Sequence, residues 1–170
     1  MKAVSALTIA LGSLLLGNAG AATPQADVTV QLVARRVETL ANGKEQFKTA
    51  EQAHPGDLIE YQATYTNRGN AAARNMAATL PVPATGLEYL TDSAAPKAVL
   101  ASVDGKTFSP MPLTRVIKQA NGQSITQVIP TTEYRYLRWN VGELPAGSSI
   151  TVSARMRVST QPIMAIAAAR

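Results

Sequence analysis

The feature that most constrains this chain is a hydropathy period of two. In "SITVSARMRV", Ile150, Val152, Ala154, Met156 and Val158 alternate with Thr151, Ser153, Arg155 and Arg157. In "DLIEYQATY", Ile59, Tyr61, Ala63 and Tyr65 alternate with Glu60, Gln62 and Thr64, and in "DVTVQLV" Val28, Val30 and Leu32 alternate with Thr29 and Gln31. Successive side chains of a strand point to opposite faces, so each stretch predicts a strand with one dry and one wet face. No window between Ala26 and Thr160 keeps a helical stripe, which leaves antiparallel sheets with one solvated face each.

The punctuation agrees with strands. Asn42-Gly43, Asp104-Gly105 and Asn121-Gly122 are dipeptides that tolerate positive φ at both centres of a tight hairpin. Pro55-Gly56, Gly69-Asn70 and the Pro145 to Gly147 stretch mark further reversals. Strands are expected near 27–33, 35–40, 45–50, 58–66, 74–80, 86–90, 97–103, 125–129, 134–141 and 149–158. Allowing for merging and loss, about seven to nine antiparallel strands in an all-β sandwich are predicted.

The ends read differently. Lys2, the apolar run Ala3 to Leu16 and the small residues of "GNAGAA" have the order of a cleaved secretory signal, 1–22, with cleavage after Ala21 or Ala22. The run is too short to span a bilayer. Residues 23–160 form the expected domain, and 161–170, "QPIMAIAAAR", a tail too short to be a transmembrane anchor. That tail reads either as a frayed end or short helix, or as a segment that docks on a partner or closes over the sandwich edge. With no cysteine, the domain has no disulfide to lean on and no lipid-anchoring cysteine. Removing Lys2 with the leader leaves 15 of 16 basic residues against 11 acidic ones, a net charge of +4. Such a balance suits solubility and anionic partners alike.

Three segments taken in order resemble a known family. "HPGDLIEYQATYTNRGNAAARNMAATLPVPATGLEYL", "ASVDGKTFSP" and "YRYLRWNVGELPAGSSITVSARMRV" are similar to the conserved-repeat domain of bacterial and archaeal surface proteins, domain of unknown function eleven. The shared pattern is Pro-Gly-Asp, a strand with an aromatic, Asn-x-Gly and a strand ending in Leu-Pro. Ser-x-Asp-Gly-x-x-Phe follows, held by Ser102, Asp104, Gly105 and Phe108, and then Arg-Trp and Leu-x-x-Gly before the last strand. The resemblance covers about residues 55 to 158 and implies an immunoglobulin-like β-sandwich in an exported protein, periplasmic or on the cell surface of a bacterium. It carries no catalytic residue. The pattern occurs once here, where family members usually repeat it, so the implied role is a small accessory or structural partner of another envelope protein.

The residues that carry the resemblance have structural readings. Asp57 follows a turn and can accept backbone N–H bonds. Asn67 and Gly69 suit a reversal in which a side chain and a positive-φ residue complete the turn. Trp139 shares a face with Leu137 and Val141 and is expected between the sheets. Gly147 lets the chain turn into the final strand.

Candidate chemistry is sparse. His54 and Asp57 are the nearest approach to an acid–base pair, with no nucleophile or third orienting group. One histidine and no cysteine argue against zinc. Asp57, Asp92 and Asp104 supply too few oxygens for calcium, and no phosphate-binding or nucleophile-elbow motif occurs. Tyr61, Tyr65, Tyr134 and Tyr136 lack the motif that would make an RNA-stacking surface, so no nucleic acid is expected. Neither a catalytic residue, a metal nor a cofactor is expected. The one charged feature is Arg155 and Arg157 on a common strand face, with Arg138 on a strand expected to form a hairpin with theirs. Such a patch suits an anionic glycan or envelope polymer, or serves as a solvated, edge-protecting face. The expectation is a non-enzymatic secreted module acting by protein contact, with anionic-polymer binding as the alternative.

Overall fold

The computed structural model describes residues 24–160, so the expected signal 1–22 and tail 161–170 lie outside the described residues. The chain is all-β with antiparallel sheets. Among the described residues ten strands are formed: β1 Val28–Thr39, β2 Glu45–Thr49, β3 Leu58–Asn67, β4 Ala73–Pro81, β5 Leu87–Tyr89, β6 Leu100–Ser102, β7 Thr114–Lys118, β8 Ser124–Val128, β9 Tyr136–Leu144 and β10 Ser149–Val158. The order is β2-β1-β3-β10-β5 in one sheet, β4-β9-β6 in a second, and β7-β8 as a separate pair.

Ten exceeds the seven to nine expected. The two segments predicted at 27–33 and 35–40 merge into β1, while β7 was not expected at all. Its five residues, Thr-Arg-Val-Ile-Lys, carry only two apolar side chains, and these are adjacent instead of alternating.

The alternating residues of β3 and β10 do face the interior. Ala63, Tyr65, Val152, Ala154 and Met156 meet Ala78, Leu80, Ala101, Leu137, Trp139 and Leu144 of the second sheet in one buried cluster. This is the arrangement of a β-sandwich, in which the two inner faces supply the core. Trp139 is 3% exposed, as expected, and its indole N–H donates to the Pro96 carbonyl at 2.6 Å. A buried indole needs such a partner.

The turns are built differently from the expectation. At Asn42-Gly43 and Asn121-Gly122 only the glycine has positive φ, 77° and 83°. The Gly43 amide donates to Leu40 O and the Leu40 amide to Lys44 O, and Gln119, Gly122 and Gln123 repeat the pattern. These are three-residue loops with the left-handed residue last, not two-residue turns. Each asparagine side chain accepts the amide two residues on, from Lys44 or Gln123.

The largest topological difference is at the last turn. β9 and β10 were expected to form a hairpin, yet they lie in different sheets, and Pro145–Ser148 is an arch between them. Gly147, at φ 70°, donates its amide to Asn67 O, and Asn67 donates to the Leu144 carbonyl, so the arch is clamped to the end of β3.

Candidate functional site

His54 and Asp57 do meet. The imidazole Nδ1 lies 3.7 Å from Asp57 Oδ2, and the same oxygen accepts the His54 amide at 2.9 Å and faces Arg36 at 3.5 Å. The His54 amide and the Arg36 guanidinium hold the Asp57 carboxyl below its ordinary value of 3.8. Asp57 thus closes a turn, as expected. The His54 side chain is 75% exposed, and among the described residues no serine, threonine or cysteine nucleophile is bonded to it. Among the described residues, no group of three or more metal-ligating side chains is assembled. Asp104, too, is a turn-former: it accepts the Lys106 and Thr107 amides and the Ser102 hydroxyl, which lowers its pKa.

The three arginines are not brought together. Arg155 and Arg157 share the outer face of β10, as expected. Arg138, in β9, points away from the core on the opposite sheet, and its guanidinium carbon sits 3.5 Å from the centre of the Phe108 ring. The separation follows from the arch at Pro145–Ser148, which carries the chain between sheets. Nor is Arg155 a free cation. It makes a two-point contact with Glu45 at 2.6 and 2.7 Å and a third with Glu60 at 3.2 Å. Two strands separate β2 from β10 in the sheet, so this contact draws the β1–β2 hairpin back over the outer face.

Asn67 and Gly69 position a different surface. Asn67 is fully buried, and all of its polar capacity is engaged. Its amide donates to Ala71 O and Leu144 O; its carbonyl accepts the Asp27 and Gly69 amides. Gly69 does not have the positive φ expected of it. It is required for close approach, since a Cβ there would lie 2.2 Å from the Gln25 carbonyl oxygen. Arg68, Asn70 and Ala71 add backbone bonds to Asp27 and Gln25. Residues 25–27 are therefore fastened to the β3–β4 turn, and β1 begins from a fixed point.

What β1 then presents is unusual for a sandwich strand. By register, Val28, Val30 and Leu32 share a face with Asn67, Tyr65 and Ala63, the inner face. Yet Val30 is 55% and Leu32 49% exposed. The sequence places these side chains correctly, but nothing among the described residues covers them. The facing sheet has only three strands and packs over β3 and β10.

The backbone edge of the same segment is open. β2 pairs with β1 only from Arg35 to Thr39, leaving Val28–Ala34 without a neighbour on that side. Asp27 O accepts from Arg68 and Leu40 bonds toward β2, so odd-numbered residues of β1 bond to β3 and even-numbered ones face outward. Val28, Val30, Leu32 and Ala34 thus aim their N–H and C=O groups at the open side, with no backbone partner among the described residues.

The other edge flanking this opening, β4, is blunted. The Tyr65 hydroxyl donates to Thr79 O at 2.6 Å and accepts the Thr79 amide at 2.8 Å, occupying that residue's outward-facing groups. Pro81 has no N–H, and a bulge at Asn75, φ 52°, breaks the strand's other end. Glu45 and Lys48 charge the rim of β2. These are recognised ways of blunting an edge. The β1 segment has neither proline nor charge from Val28 to Ala34.

Two further features lie at the other end. The β7–β8 pair has both faces in solvent, with Val116 72% exposed. At its foot, Met111, Pro112, Ile129, Pro130 and Tyr134 line a cleft of about 400 Å³. Among the described residues, no helix is long and apolar enough to cross a membrane.

No family model, curated protein or solved structure matches the chain.

Proposed function

We propose that this chain is a non-enzymatic, exported module of the bacterial envelope or cell surface, structural or accessory to an assembly, that works by strand addition at β1. The observation that carries the reading is the open Val28–Ala34 edge beside the uncovered side chains of Val28, Val30 and Leu32. Main-chain groups supply affinity in strand addition and alternate side chains supply specificity, and this segment offers both on one seven-residue stretch. The leader-like start and the motif order support export and an immunoglobulin-like variant of the sandwich. Blunting of β4 and β2 but not β1 supports a used edge over a neglected one.

The anionic-polymer reading draws less support, because Arg155 is neutralised by Glu45 and Glu60 and Arg138 is on the opposite sheet.

A photo-activated cross-linker at Leu32 in intact cells tests the proposal. It should trap a protein partner, and Val30→Pro should abolish the adduct. Proline there deletes an outward N–H while sparing the β1–β3 ladder. Recovery of uncross-linked monomer alone would count against it.

A further inference from the structure

The open edge invites the question of what fills it. We infer that the occupant is the apolar stretch Ile163–Ala169 of a second copy of this chain, giving head-to-tail self-association. The inference rests on strand addition at β1 and deepens it by naming the partner.

Length and chemistry match. The unpaired edge is seven residues, Val28–Ala34, and Ile163–Ala169 is seven residues of "IMAIAAA", with no charge and no proline. A strand added there turns alternate side chains to the inner face beside Val30 and Leu32, and Met164 and Ile166 share one parity, with alanines at 165 and 167 on the other. No other seven-residue run from Pro24 onward is composed only of Ala, Val, Ile, Leu, Met and Phe.

The chain's own tail is poorly placed for the task. Val158 O accepts the Gly56 amide at 2.9 Å, so β10 exits beside the start of β3. The near end of the open edge, Ala34, is level with Tyr61. Five residues along β3 is about 16 Å, and a strand on the open side of β1 lies three strand spacings, about 14 Å, from β10. The direct path of about 21 Å takes about six extended residues after Val158. That would consume Ile163 and Met164 before pairing began, and β2 stands in the way. A second copy meets no such limit.

Such a contact is heterologous: each copy offers one edge and accepts with one tail, so association propagates or closes into a ring. That property supplies the test. The full chain after leader removal should show a mass that rises with concentration in light scattering. Val30→Pro removes the edge and Met164→Asp/Ile166→Asp removes the tail, so each variant alone should be monomeric, with association weakened at least 30-fold. Mixed together, they should form a one-to-one dimer and nothing larger, since one intact edge meets one intact tail. The tail variant keeps the result independent of any effect of proline on β1.

A mixture that stays monomeric, or variants that assemble like the parent, would overturn the inference. If the parent is monomeric at 100-fold the concentration found in the envelope, while Leu32 still cross-links a different protein, the occupant is wrong and strand addition stands. Loss of both signals removes both.

Discussion

Replacing Asn67 by leucine keeps the approximate volume of a side chain that is fully buried and deletes four hydrogen bonds. The Leu144 carbonyl is left unpartnered in a buried position, which costs about 1–3 kcal/mol. The Ala71 carbonyl and the Asp27 and Gly69 amides are partly accessible, so water replaces some of each bond and the loss there is about 0.5–1 kcal/mol apiece. The total is about 2.5–6 kcal/mol, a large share of the roughly 5–15 kcal/mol that holds a domain of this kind. Urea unfolding at pH 7 measures it as a shift in midpoint at unchanged slope. Asn67→Asp is the informative companion. It retains the two acceptor contacts but sets a carboxylate against the Ala71 and Leu144 carbonyl oxygens. Its penalty should match or exceed that of leucine at pH 7 and shrink in acid, where a protonated carboxyl can donate again. Asn70→Ala, which loses one exposed bond to the Gln25 amide, should cost under about 1 kcal/mol. A loss below about 1 kcal/mol for Asn67→Leu would refute the clamp as described.

Other outcomes follow from the same contacts. Gly69→Ala forces a methyl group into the Gln25 carbonyl, so it should destabilise by about 1–3 kcal/mol and release residues 25–27, seen as loss of amide protection at Asp27. Arg155→Ala should cost about 1 kcal/mol or less at this half-exposed site, with the loss fading at high salt. Asp57, Asp104, Glu38 and Glu45 all have pKa values lowered by folded-state partners: the His54 amide, the Thr107 amide, Lys48 and Arg155 respectively. A carboxyl depressed on folding stabilises above its unfolded pKa and loses that contribution as pH falls through the folded one. Urea midpoints should therefore be flat near neutrality and fall below about pH 4.5, most steeply for the parent and less for Asp104→Asn.

The period of two made β3, β10 and most of β9 legible, since each buries most of one face and a slip of one residue would expose it. The role of Trp139 follows from the same parity. The crossing between β9 and β10 was not legible, because Pro145–Ser148 carries turn residues that serve a hairpin and an arch equally. What separates the two is the bond from Gly147 to Asn67, 80 positions back in the chain. Gly69 shows a similar limit: glycine marks either a left-handed residue or a close approach, and only the fold brings Gln25 against it. The candidate site was half visible. Alternation predicted that Val28, Val30 and Leu32 share a face with the core. That the opposing sheet stops short of them depends on strand count and order, which no local pattern records.

Strand addition at β1 requires its even-numbered backbone groups to be open until a strand arrives. Residue-resolved amide exchange reads this directly, because alternate amides of one strand report its two sides. In the dissociated protein, Val28, Val30, Leu32 and Ala34 should exchange at near-solvent rates while Thr29, Gln31 and Val33 stay protected by β3. Assembly should slow the even set at least tenfold and leave the odd set unchanged. Equal protection of both sets in the dissociated protein would mean the edge is already filled and would contradict the claim.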